Sequence, residues 1–478
     1  MIAKMYDIMV IGAGSGGLSV GLTMNQLGFK VLMIAKTDRD IGGECLNDGC
    51  VPSKALIHVA RILKNAKKAA AFGISLSGKP DYTKALNYVH ERQEIIRKHE
   101  NAKSLRDSGI DIVLGEAKFT GKKEVGVNNE TYTAKNIVIA TGSTPRKLQV
   151  PGVENVQCFT NSNIFSIENL PENILVVGGG PIGIEIAQTL NSFDRKVTIV
   201  QHGTTILEHD DEQVTTVLLE HLRQEGIEFL LNTDIESFTS PNNAKLKGKN
   251  GEIKNLYFDA VFVGIGRQLI LDPLQLQQAG IKVKENKIVV DKYLRTTNKD
   301  VYVCGDIAGD LMFSHAAEFH ARILINNFLS PLKKKLNNDH MSWVTFTDPE
   351  IASFGLNESQ LKSRGIGYER VEQDFSGDDR AITDNYQYSR VILFIGKGSL
   401  LKKIKLLGGT MVAPNAGELI QELILANTSG LSINSIFNKI YPYPVASRIN
   451  QSLVIKHKEK RISSGVKKIL QITYKIFG

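Results

Sequence analysis

Cysteine is scarce: Cys45, Cys50, Cys158 and Cys304 are the only four in 478 residues. That is too few for the disulfide framework of a small secreted domain, and only the first two are close in sequence. No histidine and cysteine cluster has the spacing of a structural zinc site, so no metal site is expected. Long apolar runs are lacking too. Residues 8–29 carry no charge and are long enough to span a bilayer, yet they hold six glycines, Asn25 and Gln26. Neither a compact apolar leader nor a small-residue cleavage site is evident, and the chain is expected in the cytoplasm. Charge of one sign is not dominant: 58 Lys and Arg face 50 Asp and Glu, for a net +8. A nucleic-acid binder would cluster such an excess among aromatics, whereas the clearest cluster here is the C-terminal end, so no nucleic-acid partner is expected. With 42 % hydrophobic and 23 % charged residues the chain can build ordinary globular cores, and its length suggests about three domains.

What is present is a repeated pattern. Residues 6–11 read as a buried strand, followed by Gly12-Ala-Gly14-Ser-Gly16-Gly17, a helical pattern through Leu18, Leu22 and Leu27, and a strand at 30–34. This βαβ unit carries G-x-G-x-x-G at its first turn, where glycines admit a tight bend and close approach of a pyrophosphate to the helix N-terminus. The pattern recurs with a strand at 174–177, Gly178-Gly-Gly180-Pro-Ile-Gly183, a helix from 184 and a strand at 196–200. One such fingerprint is weak, but two in the right context indicate two dinucleotide sites. Helices are expected over 51–71, 84–107 and near 416–426. Short strands are expected at 111–114, 136–139, 260–263 and 301–303, with a strand-rich region over 341–403.

The segment Gly42-Gly43-Glu44-Cys45-Leu-Asn-Asp-Gly49-Cys50-Val-Pro52-Ser53-Lys54 is the most informative. An extended chain cannot bring cysteines five apart within bridging distance, but Gly49 and entry into a helix fold the loop back. Pro52 fits only a first helical turn, which puts Cys50 at or just before the helix N-terminus. There the dipole favours a thiolate, and Lys54, one turn on, pushes the same way. Two structural thiols are the plainer alternative; the lysine and the adjoining glycine loop weigh for redox chemistry.

This motif resembles that of the class I flavoprotein (pyridine nucleotide) disulfide oxidoreductases, with mercuric reductase and dihydrolipoyl dehydrogenase as the nearest branches. Ile139-Ala-Thr141-Gly142-Ser143 and Gly264-Ile-Gly266-Arg267 resemble the family's crossings between its nucleotide domains. Val301-Tyr-Val-Cys-Gly305-Asp306 is similar to its second flavin motif, and Thr347-Asp348-Pro349-Glu350 with Ala416-Gly417-Glu418 to its interface domain. The resemblance implies an α/β fold with two Rossmann-like nucleotide-binding domains and a C-terminal α+β dimerisation domain. Its parts would be an FAD domain over 1–150, an NAD(P) domain over 151–270, a central domain over 271–340 completing the FAD site, an interface domain over 341–455 and a basic tail over 456–478. FAD would meet Gly12, Gly14, Gly17, Gly43, Lys54, Ala117, Thr141, Gly142, Ser143, Asp306 and Ser314. NADH or NADPH would meet Gly178, Gly180, Gly183, Gln201 and Gly266. The resemblance further implies a Cys45–Cys50 redox disulfide in a homodimer, with Cys45 facing a small electron acceptor and Cys50 the flavin, and with Lys54 paired to Glu185.

Three positions depart from the family pattern. Ala35 stands where an acid usually meets the adenosine ribose. Gln201 is neutral where NAD-binding chains carry an acid, and no arginine follows before Arg223, which favours NADH. Tyr443 and Arg448 replace the histidine and glutamate that move protons for the dithiol, and a phenol near pKa ~10 is a poor base at neutral pH. The Gly-Gly-Glu-Cys stretch and Asp378-Asp-Arg380-Ala-Ile look closer to mercuric reductase, although no cysteine pair follows Cys304. Two other readings stand beside the dithiol enzyme: a flavin reductase passing electrons to a quinone, metal ion or oxygen with little role for the thiols, and a flavin-bound redox sensor. The basic tail is expected to pack on the dimer as an amphipathic helix, with contact to an anionic membrane surface as the sharper alternative.

Overall fold

The apolar run before the first glycine loop becomes the middle of a sheet that is parallel at its centre and ends in two antiparallel strands, Glu124–Val127 and Lys118–Gly121. In the computed structural model, which describes residues 5–75, 77–397 and 404–478, strand Met5–Ile11 lies between Val31–Ala35 and Glu130–Ile139, parallel to both. Asp111–Leu114 continues the sheet beyond Val31–Ala35, and Val301–Val303 pairs with Glu130–Ile139. Val31–Ala35 is buried along its whole length, as a strand covered on both faces must be. Met9, Leu32, Met33, Ile137 and Val301 meet in the core, each contributing about 1.5–3 kcal/mol by leaving water.

The strand at the centre feeds α1 (Ser15–Gln26). The cysteine motif then forms α2 (Gly43–Asn47) and the start of α3 (Cys50–Lys68). The single helix expected over 84–107 is instead two, α4 (Tyr82–Arg97) and α5 (Ala102–Asp107). Asn101 causes the break: its backbone is extended at φ −149°, and its side chain caps the new helix by accepting from the Ser104 N–H at 2.8 Å.

A second parallel sheet is built on the other glycine loop. Asn173–Val177 lies between Lys196–Val200 and Ala260–Val263, with α6 (Pro181–Ser192) between the first two in sequence. Each glycine loop therefore leaves the carboxyl end of the strand between two parallel neighbours, where open α/β sheets bind their ligands. Thr144–Pro145 and Arg267–Gln268 pair antiparallel as the chain passes between the two sheets.

The chain divides into two compact units, Met1–His202 with Asn232–Asn337, and Gly203–Leu231 with Asn338–Gly478. Both glycine-loop sheets belong to the first unit. The second takes α7 (Glu212–Gln224), while α8 (Ser314–Leu329) closes the first.

The second unit is an antiparallel sheet ordered Ser342–Thr345, Glu350–Gly355, Leu406–Ala413, Arg390–Gly396, Tyr368–Asp374. The end of the expected strand-rich region, 398–403, lies outside the described residues. Around the sheet stand α9 (Glu358–Ser363), α10 (Asp379–Thr383), α11 (Ala416–Leu419), α12 (Gln421–Thr428), α13 (Asn434–Phe437), α14 (Arg448–Lys460) and α15 (Ser464–Phe477). The helix expected near 416–426 is thus split at Ile420, and the basic tail begins inside α14. Ile449, Leu453 and Val454 dock α14 on the core, whereas α15 buries none of its residues. Among the described residues no helix is long and apolar enough to cross a membrane.

Candidate active site

The first loop is shaped by what it excludes. A Cβ on Gly17 would stand 2.1 Å from the Gly12 carbonyl oxygen, so only glycine lets α1 start this close to the strand. Gly14 caps α1 with no side-chain hydrogen bond, and no acid lies in the first turn. The orphan N–H groups and the positive helix end are thus left for an anion. Gly43 comes against this loop: a Cβ there would meet the Gly14 Cα at 2.6 Å. The second loop repeats the design. Gly180 caps α6 without a side-chain bond, no acid lies in its first turn, and a Cβ on Gly183 would lie 2.2 Å from the Gly178 oxygen. Both cradles fit a dinucleotide pyrophosphate.

The cysteine motif lies beside the first cradle. The Gly42 N–H donates to the Ala13 carbonyl at 2.9 Å. Asp48 and Gly49 interrupt the helix, so that Cys50 begins α3 as the sequence requires. Gln93 of α4, buried, donates to the Leu46 and Asn47 carbonyls at 2.8 Å each, and Arg97 donates to Asn47 Oδ1 at 2.6 Å. These bonds hold the turn that brings the two thiols within hydrogen-bonding reach. All four cysteines are free, Cys45 half-buried and Cys50 exposed.

The two sulfurs are unequal. The bond from Cys45 is the main force holding the Cys50 thiol down to about 6; desolvation opposes it, while Ser314 and the Lys54 charge assist. That same bond, with burial, pushes the Cys45 thiol up. Ser314 Oγ lies 3.3 Å from Cys50 Sγ. Lys54 Nζ meets Glu185 Oε2 at 2.7 Å, the pairing expected, with the carboxylate almost fully buried.

A second cluster gathers segments that the sequence presents separately. Arg267 grips both carboxylate oxygens of Glu44, one at 3.0 Å, and donates from Nε to Ser143 Oγ at 2.6 Å. Ser143 donates to Asp306 Oδ2 at 2.5 Å. Asn161 donates to Glu44 Oε1 and to the Asp48 carbonyl, the latter at 3.1 Å. The motif, both crossings and the second flavin-like motif thus meet at one arginine. Glu44 and Arg267 stood inside the segments singled out, but nothing in their spacing assigned them a role. Asn161 and Gln93 carried no signal, because they act through loop and helix packing distant in sequence.

Comparison with known proteins decides the family. The family profile described as pyridine nucleotide-disulphide oxidoreductase matches residues 6–321, and that of its dimerisation domain matches 341–453. The chain belongs to the pyridine nucleotide-disulphide oxidoreductase family. It is 29 % identical over 444 residues to mercuric reductase from Bacillus cereus, covering 92 % of this chain and 69 % of that one. It is 32 % identical over 460 residues to dihydrolipoyl dehydrogenase from Buchnera aphidicola, covering 94 % and 95 %. The HOCl-induced flavoprotein disulfide reductase RclA from Escherichia coli has the same fold, with a TM-score of 0.82 at 24 % identity over 94 % of this chain and 99 % of that one.

Pyridine nucleotide-disulphide oxidoreductases use FAD and NAD(P)H, so the departures take on meaning. Ala35 is buried at a strand end and offers no side-chain acceptor. Gln201 turns inward: its Oε1 accepts the Gly179 N–H at 2.8 Å, bracing the second loop. Thr141 and Gly142 follow strand Glu130–Ile139, Gly266 follows Ala260–Val263, and Ala117 packs half-buried on the first core. Tyr443 belongs to the second unit, where its hydroxyl donates to Asp379 Oδ2 at 3.0 Å and the Arg448 guanidinium lies 5.5 Å from its ring centre. The Asp379 bond raises the phenol pKa further, the wrong direction for a base.

Proposed function

We propose that this oxidoreductase is an FAD-dependent NAD(P)H enzyme in which Cys45 and Cys50 alternate between a disulfide and a dithiol. The observation that carries the reading is the pairing of Cys45 in α2 with Cys50 at the start of α3, with the Lys54–Glu185 ion pair one turn on. FAD would lie along Gly12, Gly14, Gly17, Gly43 and Asp306, and when bound supplies hydride acceptance from a nicotinamide and two-electron delivery to a disulfide. The nicotinamide cofactor would lie along Gly178, Gly180, Gly183 and Gly266. NADH is favoured, since Gln201 is engaged by Gly179 and no Lys or Arg follows it in sequence before Arg223.

In the reduced pair Cys45 keeps its proton and donates it in a hydrogen bond to the Cys50 thiolate. Lys54, fixed by Glu185, holds positive charge near that thiolate. Cys45 is the sulfur that meets the acceptor. As the S–S bond re-forms, two electrons leave with the acceptor and the one proton still held by Cys45 is released. A disulfide acceptor would need that proton and a second one from solvent to leave as two thiols, and Tyr443, already donating to Asp379, is poorly suited to relay them. A thiophilic metal ion as electron acceptor needs no such relay, and we favour it over dihydrolipoamide. The match to a dimerisation domain supports a homodimer.

The test is steady-state NADH and NADPH oxidation with Hg(II), Cu(II), disulfides and quinones, comparing the native chain with Cys45→Ser and Cys50→Ser. Loss of metal-ion turnover in both variants supports the reading. Full rates in both with every acceptor would sink the dithiol role and leave a flavin reductase. No oxidation with any acceptor would leave a redox sensor.

A further inference from the structure

The C-terminal helix has an apolar face that nothing in its own unit covers. α14 is anchored: Leu453 and Val454 are buried, Lys458 donates to Asn434 Oδ1 at 3.0 Å, and His457 and Arg461 face Glu369. α15 differs at every position. Its large apolar side chains run from 43 % exposed at Val466 to 84 % at Phe477, and Ser463 caps its start by accepting from the Val466 N–H at 3.3 Å. At about 100° per residue, Val466, Ile469, Leu470, Ile472, Ile476 and Phe477 occupy roughly half the helix circumference. Lys467, Lys468 and Lys475 share the opposite side with Gln471. From Lys460 to the end no acid appears.

We infer that α15 is an interfacial helix that lies in the headgroup layer of an anionic lipid bilayer. A wide apolar face opposite one whose only charges are cationic suits a surface that is oily inside and negative outside. A second copy of the chain is the rival occupant. Against it, α15 lies beyond residues 341–453, the span matched to the family's dimerisation domain, and a protein–protein seam would ordinarily pair some of these cations with acids. The helix is also short. Spanning a bilayer takes about 20 apolar residues, so α15, at 14 residues, can lie on a membrane but not cross one.

Co-sedimentation of the full-length, flavin-loaded protein tests this, with vesicles of phosphatidylcholine alone and of phosphatidylcholine mixed with phosphatidylglycerol. The protein is expected to pellet with the anionic vesicles, to remain in solution with the neutral ones and to release as salt rises. The triple variant Lys467→Gln, Lys468→Gln, Lys475→Gln should lower vesicle affinity roughly a hundredfold. Leu470→Ser with Phe477→Ser should abolish pelleting while flavin absorbance, NAD(P)H oxidation and oligomeric mass by light scattering stay as in the native chain. If the native chain does not bind anionic vesicles, or the Leu470 and Phe477 variant still binds them, the inference fails. If that variant loses vesicle binding only because its oligomer dissociates, the face belongs to a second copy and the inference also fails.

Discussion

Two sulfur atoms five residues apart differ chiefly because one donates its hydrogen bond to the other. The Cys50 thiol is depressed to about 6 and the Cys45 thiol is raised. Alkylation by iodoacetamide after reduction should show this: Cys50 reacts along a curve with a midpoint near 6, while Cys45 stays slow through neutral pH, as read by mass spectrometry. Because the folded pKa lies below the unfolded one, the thiolate stabilises the reduced fold fully above about 8.5, and this stabilisation fades as pH falls through about 6. Lys54→Met should move the Cys50 midpoint upward. It also takes the ammonium away from a carboxylate that is almost fully buried, and destabilisation of about 1–3 kcal/mol is expected in urea unfolding. Lys54→Met with Glu185→Gln should recover part of that loss, since the amide carries no charge to bury.

Glycine loops, strands and helix starts are local features, so most of the architecture could be read before the structure. The two βαβ units, the Cys50 helix start and the strands at 111–114, 260–263 and 301–303 follow from short runs of side chains. The break between α4 and α5 is different. Only a capping asparagine marks it, and a polar, helix-forming stretch hides such a cap. Harder still were Gln93, Asn161 and the grip of Arg267 on Glu44, because their partners are brought in by the sheet order and not by sequence neighbours. The local design makes a prediction of its own. Gly183→Ala would set a methyl group 2.2 Å from the Gly178 oxygen and force α6 away from its strand. The expected result is a KM for NADH raised tenfold or more in steady-state assays, with bound flavin unchanged because the first loop is untouched. An equal loss of flavin would show that the two cradles are not separate sites.

At the scale of the molecule, the second unit is assembled from two stretches of chain that are far apart in sequence, and charge stitches them together. Asp211, at the cap of α7, receives two bonds from Arg370, at 2.6 and 3.2 Å. Asp210 beside it accepts from Trp343 Nε1 at 2.9 Å and from Ser353 Oγ at 2.6 Å. Both acids arrive on the excursion 203–231, while their partners lie on the sheet strands of 338–478. Arg370 is mostly buried and its fork matches the carboxylate, so this pair is worth more than a surface bridge. Arg370→Ala should cost about 1.5–3 kcal/mol. Arg370→Lys should cost less, because a point charge remains where the fork is lost. Hydrogen exchange separates this from a general weakening. Amides of α7 should exchange faster in Arg370→Ala while those of α1 keep their protection, since α1 belongs to the other unit. Uniformly faster exchange in both helices would mean that the two units unfold together and that this ion pair is not a local stitch.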